Sequence, residues 1–239
     1  MSAERYFHQQ RFQERDSIIL DGQEYHHLVH VMRAHIGDRI ELVNGQGQLG
    51  SGTVIQMNKR QATIVLEKVI MKPLSPVQLI LVQAIPRVNR LEFILEKGTE
   101  LGMTEIRLFP STRSEKRNFT EHQLNRFEGI LVAALKQCDR LYLPKIVLMP
   151  HIFEWDNASL PAYFGDVSPL ATPLVDVWSQ RDHQKGAMFC VGPESGFTEE
   201  EEVLLKQKGF VGVKLHTNIL RTDTAGIAAL SIMSQFLPI

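Results

Sequence analysis

The chain has 239 residues, of which 44% are hydrophobic and 22% are charged, and its formal net charge is −1. These values are ordinary for globular proteins, so they exclude a disordered or low-complexity chain. They also exclude a polycation, but not a local RNA-binding surface, because binding follows patches rather than totals. At ~150 residues per domain, the length predicts one large domain or two smaller ones.

The cysteines and the apolar runs restrict the class of protein further. Cys138 and Cys190 form no C-x-x-C pair, which excludes zinc-finger and disulfide-framework folds. The start of the chain, Met1–Arg5, lacks the apolar stretch of a secretory signal, and no apolar run approaches the ~20 residues that span a bilayer. We therefore expect a cytoplasmic protein with no membrane partner.

Residues 1–72 are predicted to form a small β-rich domain. Short β-branched runs, separated by turn residues such as Asp21-Gly22 and Asn44-Gly45, indicate strands. One helix is predicted over Glu24–Arg33, and the two prolines of Met71–Pro76 mark a linker. The predicted strands are Ile18–Leu20, Arg39–Val43, Thr53–Ile55 and Ala62–Leu66.

From residue 73 onward, strands alternate with helices, a pattern typical of an α/β domain with a mainly parallel sheet. Thr198, with Glu201 three positions later, is a capping box that opens one of the helices. Ligands of such sheets bind at the carboxyl ends of strands, which makes the loops after strands the candidate site. The predicted strands are Val77–Ala84, Ile106–Leu108, Ile146–Met149, Leu174–Val177, Ala187–Val191 and Val211–Leu215, and the predicted helices are Arg90–Leu101, Glu121–Cys138, Thr198–Lys208 and Thr224–Leu237.

Two local patterns suggest other functions. Gly45–Gly50 matches G-x-G-x-x-G, the fingerprint of a nicotinamide oxidoreductase, but the fingerprint needs a helix directly afterwards and the strand-like Ser51–Ile55 follows. A glycine-rich hairpin is therefore predicted. The histidines at 26, 27, 30 and 35 lack the Glu that a zinc protease needs after its first His, so we predict no metal site.

Two loops after predicted strands carry chemistry-bearing residues. Gly192–Phe197 has two glycines around a proline, which let the backbone turn tightly and approach a ligand, while the missing lysine excludes a nucleoside triphosphate loop. In Leu215–Ala225, Thr222 or Asp223 is the expected N-cap of the last helix. Arg221 beside that helix start opposes the macrodipole, which suggests an anionic partner or a ligand.

A third loop, 107–117, is locally basic through Arg107, Arg113, Lys116 and Arg117. A solvated loop explains such a run, and phosphate binding at the sheet edge explains it equally well.

These loops resemble the RsmE family, the SPOUT-class methyltransferases that make 3-methyluridine in 16S ribosomal RNA. The resemblance runs over nearly the whole chain. It is carried by Gly192–Phe197 and by Ile219–Ala225, and further by Arg5–Phe7, His27–Arg33, Asn44–Gly47, Phe93–Gly102 and the Ala133-to-Arg140 segment.

The resemblance implies a PUA-like RNA-binding β-barrel domain over residues 1–72 and a SPOUT methyltransferase domain over residues 73–239, with a parallel sheet and a deep trefoil knot. It implies S-adenosylmethionine as the cofactor and a homodimer. The implied substrate is 16S ribosomal RNA or the small ribosomal subunit, methylated at uridine N3.

Site residues follow from the same resemblance. Arg221 and Glu194 are the expected catalytic residues. Arg221 would stabilise charge on the uracil imide, and Glu194 would accept its proton or orient Arg221. The expected cofactor-binding residues are Thr172, Val191, Gly192, Pro193, Glu194, Gly196, Leu215, Asn218, Ile219, Leu220, Thr224 and Ala225. The expected RNA-binding residues are Arg5, His27, Arg33, Arg113 and Arg140.

Four positions depart from the family pattern: Lys136, Ser195, His216 and Asn218. A serine at 195 would crowd the cofactor if that position required positive φ. The loss of an arginine at 218 removes one charge-assisted donor. These departures motivate an alternative, a catalytically impaired SPOUT-fold RNA-binding or ribosome-assembly factor.

Overall fold

The structure, a computed structural model, describes residues 4–114 and 117–237. The start of the chain, residues 1–3, and Lys116 of the basic loop lie outside the described residues. The chain divides into two compact units. The first holds the residues up to Leu74 together with Leu135–Leu143, and the second holds the others from Ser75 onward.

The first unit is built on a five-stranded sheet with the order β1-β3-β4-β5-β2. Neighbouring strands are antiparallel, except that β1 runs parallel to β3. Two register shifts between β4 and β5, at Ser51/Gly52 and Val54/Gln56, bend the sheet as β-bulges do. The strands are β1 Arg5–Phe7, β2 Ser17–Leu20, β3 Arg39–Val43, β4 Gln48–Met57 and β5 Ala62–Met71.

The predicted helix of this unit begins and ends two residues earlier than expected and changes character midway. Helix α1 spans Gly22–His26 and continues directly into a π-helical turn, His27–Val31, which buries Leu28 in the core. The helix ends before Arg33, whose backbone lies in the left-handed region with φ of 54°. Left-handed backbone cannot continue a right-handed helix.

The glycine-rich segment that resembles a dinucleotide fingerprint is a hairpin, as the sequence predicts. It joins β3 to β4, and no helix follows it. Gly47 has φ of 97°, and a Cβ there would clash with the Tyr142 hydroxyl and lie 2.8 Å from the Lys72 carbonyl. Its glycines therefore serve packing within the first unit.

The second unit contains a six-stranded, fully parallel sheet with the order β11-β9-β10-β6-β7-β8, as expected for an α/β domain. The chain moves outward from β6 through β7 and β8, then returns to the other side, so the strand order reverses between β6 and β10. Ligands of open parallel sheets bind at such a reversal, outside the carboxyl ends of the strands. The strands are β6 Gln78–Ala84, β7 Glu105–Phe109, β8 Lys145–Leu148, β9 Ala162–Gly165, β10 Gly186–Val191 and β11 Phe210–Val213.

Among the described residues, five α-helices accompany this sheet. The capping box predicted for α5 is present, since the Thr198 hydroxyl accepts from the Glu201 amide at 3.2 Å and the Glu201 carboxylate accepts from the Thr198 amide at 2.9 Å. Within the described ranges, no helix is long and apolar enough to cross a membrane. The helices are α2 Val88–Glu100, α3 Glu121–Gln137, α4 Leu174–Trp178, α5 Glu199–Gln207 and α6 Thr222–Ser234.

One element was predicted wrongly and two strands were missed. Leu174–Val177 is part of helix α4, which follows Pro173 and buries Leu174 and Trp178 on one face at i, i+4 spacing. Periodicity alone does not distinguish such a short apolar run from a buried strand. The missed strands are short: β1 has three residues, and β9, which lies between β10 and β11, has four.

Candidate functional site

A cavity of about 730 Å³ lies at the carboxyl edge of the parallel sheet in the second unit. Two loops supply most of its wall: Gly192–Phe197, which follows β10, and Lys214–Arg221, which follows β11. The two loops that the sequence singles out therefore line one cavity.

The local conformation of the first loop explains its glycines. Gly196 takes φ of 73°, a conformation that disfavours any side chain. A Cβ on Gly192 would lie 3.2 Å from the Phe197 ring. Ser195 is outside the positive-φ residues of the structure. The serine therefore causes no backbone strain, so the change at position 195 no longer supports a catalytically impaired protein.

A chain of hydrogen bonds through buried groups ties the two loops to the end of β6. Gln83, fully buried, donates from Nε2 to the Ala84 carbonyl at 3.0 Å and to the Thr222 hydroxyl at 2.8 Å. The Thr222 hydroxyl in turn donates to the Gly192 carbonyl at 2.9 Å. Thr222 thus fixes the start of α6 against the loop that follows β10.

Arg113 holds the same loop from the opposite side. Its Nη1 donates to the carbonyls of Ser195 and Phe197 at 3.0 and 3.1 Å, and its side chain also lines the cavity. The family resemblance predicts that Arg113 binds RNA. In the structure, its guanidinium donates to these two backbone carbonyls.

The loop that carries Arg113 is anchored by Glu201, which is fully buried. Its Oε1 accepts from the Ser111 hydroxyl at 2.8 Å and from the Thr112 amide at 2.9 Å. Burial by itself would raise the pKa of Glu201, but the hydrogen bonds from Thr112, Thr198 and Ser111 outweigh burial and leave that pKa below its usual value. Glu201 is therefore a buried, ionised carboxylate.

Charged side chains line the cavity at two places. Arg90, in the first turn of α2, has Nε 3.7 Å from Glu194 Oε1 and Nη1 3.7 Å from Asp223 Oδ1. Asp166 and Glu202 line another part of the wall. Burial, followed by the charge of Asp166, raises the pKa of Glu202.

Arg221 also lines the cavity and is exposed. It is the N-cap residue of α6, a position that the sequence assigns to Thr222 or Asp223. Its side chain makes no capping hydrogen bond, and within the described part of the chain the guanidinium has no ion-pair partner. The Thr222 hydroxyl is instead used in the link between Gln83 and Gly192.

Two of the predicted cofactor-binding residues lie outside the cavity wall. The Thr172 carbonyl accepts from the Lys214 amide at 2.9 Å, and the Thr224 amide donates to Asp223 Oδ1 at 3.0 Å. The remaining predicted residues of the cavity line it, namely Val191, Gly192, Pro193, Glu194, Gly196, Leu215, Asn218, Ile219, Leu220, Ala225 and Arg221.

Sequence analysis did not single out Gln83 or Arg90. Gln83 follows the continuous apolar run Leu79–Val82 of its strand, and a polar residue there was the available signal. Arg90 is a cation in the first turn of a helix, the same signal that drew attention to Arg221.

The predicted RNA-binding residues of the first unit differ in their surroundings. Arg5 is 12% exposed and pairs with Glu41 at 2.8 Å and with Asp139 at 2.9 Å. His27 has Nε2 3.9 Å from Glu4 Oε1. Arg140 is half-buried, and this burial lowers its pKa. Arg33 is exposed.

Two of the departures from the family pattern have local partners. Lys136 Nζ donates to Glu24 Oε1 at 2.7 Å within the first unit. His216 Nδ1 accepts from the Asn218 amide at 3.0 Å, so these two residues stabilise their own turn.

Among residues 4–114 and 117–237, no group of three or more His, Cys, Asp or Glu is placed to hold a metal ion.

Comparisons with known proteins place the chain in a family. Residues 73–234 match the RNA methyltransferase domain, and residues 20–67 match the RNA methyltransferase PUA domain. The ribosomal RNA small subunit methyltransferase E of Bacillus subtilis is 27% identical over 97% of this chain and 96% of its own. The protein of the same name from Buchnera aphidicola is 27% identical over 90% of this chain and 86% of its own.

Solved structures give the same result. The crystal structure of a ribosomal RNA small subunit methyltransferase E from Neisseria gonorrhoeae, bound to S-adenosyl methionine, superimposes with a TM-score of 0.86. It shares 26% sequence identity and covers 99% of this chain and 98% of its own. The chain therefore belongs to the family of RNA methyltransferases that includes the ribosomal RNA small subunit methyltransferases E.

Proposed function

We propose that this protein transfers the methyl group of S-adenosylmethionine to N3 of a uridine in 16S ribosomal RNA. The observation that carries the proposal is that two loops, after β10 and β11, line one cavity at the carboxyl edge of a parallel sheet. Membership of the RNA methyltransferase family and the cofactor of the Neisseria relative support it.

The residues of the cavity fit such a cofactor. Its volume of about 730 Å³ lies in the range of small-molecule sites. Val191, Leu215 and Leu220 offer apolar wall to a flat neutral ring, and Gly192 leaves room for close approach of the backbone. Asp166 and Glu202 offer negative charge to a cationic ligand.

Bound S-adenosylmethionine supplies an electrophilic methyl group, so the protein must mainly align the reacting atoms and exclude water. Uridine N3 carries a proton that must leave before its electron pair can react. We assign acceptance of this proton to Glu194. Arg221 stabilises the negative charge that develops on the uracil carbonyls.

The proposal is tested with the full-length protein. Calorimetry should detect S-adenosylmethionine binding, and mass spectrometry of 16S RNA treated with protein and cofactor should detect 3-methyluridine. Cofactor binding without methylation would support the alternative of a non-catalytic RNA-binding or assembly factor. Methylation at another atom or in another RNA would contradict the assigned substrate.

Thr222→Val is expected to lower cofactor affinity about tenfold, the equivalent of ~1.4 kcal/mol. The hydroxyl joins Gln83 to the Gly192 carbonyl, and valine leaves both groups without that partner. Calorimetry measures the change. Thr99→Val is the matched control, because Thr99 is also buried and its hydroxyl donates to the Leu95 carbonyl within α2. An equal loss in both variants would contradict a specific role for Thr222.

We also propose that the first unit binds RNA, that the two loops form part of a deep trefoil knot, and that the protein acts as a homodimer in the cytoplasm. Arg33 is the exposed cation most suited to a phosphate contact.

Arg33→Gln should weaken 16S RNA binding several-fold, because one phosphate contact is lost. The number of counterions released on binding, read from the salt dependence of the affinity, should fall by about one. Cofactor affinity should not change. Arg39→Gln is the control, since Arg39 is an exposed arginine of the same unit that pairs with Glu67 at 2.9 Å. RNA affinity is measured by filter binding at several salt concentrations, and equal effects of the two variants would remove Arg33 from the interface.

A further inference from the structure

Arg90 connects three elements at the cavity, although no motif of the sequence draws attention to it. It belongs to α2, while Glu194 lies in the loop after β10 and Asp223 in the first turn of α6. The guanidinium faces both carboxylates at 3.7 Å, one through Nε and the other through Nη1. All three side chains are partly exposed, at 23%, 33% and 21% for Arg90, Glu194 and Asp223.

Helix stability does not explain an arginine at this position. The first turn of α2 contains no acidic residue, and a cation near a helix N-terminus opposes the macrodipole. The carboxylates of Glu194 and Asp223, which other elements bring close to Arg90, offset this unfavourable interaction with the helix dipole. Its location therefore points to a role at the cavity.

The geometry also suits a carboxylate that must react. Two carboxylates near one site repel each other, and a cation between them offsets that repulsion. A separation of 3.7 Å is that of an ion pair and is too long for a hydrogen bond. Arg90 thus supplies charge while leaving the lone pairs of Glu194 free to accept a proton.

We propose that Arg90 is a positioning residue for methyl transfer, which holds the Glu194 carboxylate toward the cavity so that it takes the proton from N3 of the target uridine. The inference rests on the proposed function. The N3 proton passes to a Glu194 oxygen and the freed N3 electron pair forms the bond to the methyl carbon. The electron pair of the broken carbon–sulfur bond stays on sulfur.

Arg90→Gln tests this role, with Arg90→Lys as the conservative variant and Arg126→Gln as the control. Arg126 is also an arginine that pairs with a carboxylate of α2, Glu92, at 2.8 Å, but it does not line the cavity. Each protein is assayed for kcat and KM with 16S RNA, for cofactor affinity by calorimetry, and for thermal unfolding.

We expect Arg90→Gln to lower kcat at least tenfold while cofactor affinity and KM for RNA stay within twofold of wild type. Arg113, Arg221 and His216 from the loops line the cavity and stay in place in this variant, as does Asp223 from α6, which faces position 90. Arg90→Lys should recover part of kcat, and Arg126→Gln should behave as wild type.

Three results with the variants would overturn the inference. A higher KM for RNA with an unchanged kcat would assign Arg90 to a phosphate contact. Equal losses of cofactor affinity, thermal stability and kcat would assign it to folding, and wild-type behaviour of Arg90→Gln would remove it from the reaction. A wild-type protein that methylates no RNA would overturn the proposed function itself, and the inference with it, before any variant is compared.

Discussion

Arg221→Ala is expected to lower methyl transfer about 100-fold or more, the effect of removing one donor that stabilises developing negative charge. The Arg221 side chain gives α6 no capping hydrogen bond, and its guanidinium has no ion-pair partner within the described residues. It lies on the cavity wall, so its charge is available to a ligand. We therefore expect the loss in kcat, with thermal stability and cofactor affinity close to wild type.

The measurement is single-turnover methylation of 16S RNA at saturating cofactor, beside calorimetry of cofactor binding. Arg126→Ala provides the control, because it removes an exposed arginine of the same unit away from the cavity. Arg221→Lys keeps the charge without the planar fork of donors and should recover only part of the rate. A turnover of Arg221→Ala within threefold of wild type would remove Arg221 from the mechanism.

Local sequence patterns predicted those parts of the fold that depend on neighbours in the chain. The capping box of Thr198 and Glu201 opens α5 because both partners lie within one helical turn. The α/β alternation predicted the parallel sheet, and the two loops on strand ends predicted where the cavity lies. Each of these predictions needs only residues that are close in sequence, or the direction in which the parallel strands run.

Features that depend on distant contacts were not accessible in the same way. Gln83 and Thr222, which are joined by a hydrogen bond, lie 139 positions apart in the sequence. Nothing in the sequence around Gln83 indicates which residue its side chain binds. Glu194 and Asp223 are brought to Arg90 only by the strand order of the sheet. Leu174–Val177 was misassigned because the burial of this segment is set by the tertiary packing of the helix that contains it, through Leu174 and Trp178, rather than by periodicity.

Glu201→Gln is expected to destabilise the protein by ~2–3 kcal/mol, the cost of leaving a buried donor unsatisfied in a charge-assisted network. One carboxylate oxygen accepts from the Thr112 amide and the other from the Thr198 amide. Glutamine has only one acceptor oxygen, so its NH₂ group would face one of these two N–H donors. Denaturant unfolding at neutral pH measures the loss, and Glu200→Gln, an exposed acid in the same helical turn, should cost far less.

The ionisation of Glu201 also determines part of the pH dependence of the protein's stability. Because the pKa of Glu201 in the folded protein is below its usual value of 4.5, its contribution is fully present above about pH 4.5. The contribution is lost as the pH falls further, through the folded-state pKa. His151 and Cys190 also face this carboxylate; burial, followed by the charge of Glu201, raises the pKa of Cys190 and keeps that thiol protonated. The stability difference between wild type and Glu201→Gln should therefore shrink below pH 4.5.

Glu201 also links stability to the site, because the loop that it anchors carries Arg113, and Arg113 holds the carbonyls of Ser195 and Phe197. At a temperature where Glu201→Gln remains folded, we expect its cofactor affinity to fall as well. Arg113→Gln should show the loss of affinity without the large loss of stability, since Arg113 is exposed. If Glu201→Gln binds the cofactor as tightly as wild type, the 111–113 loop does not position the cavity, and Glu201 serves the fold alone.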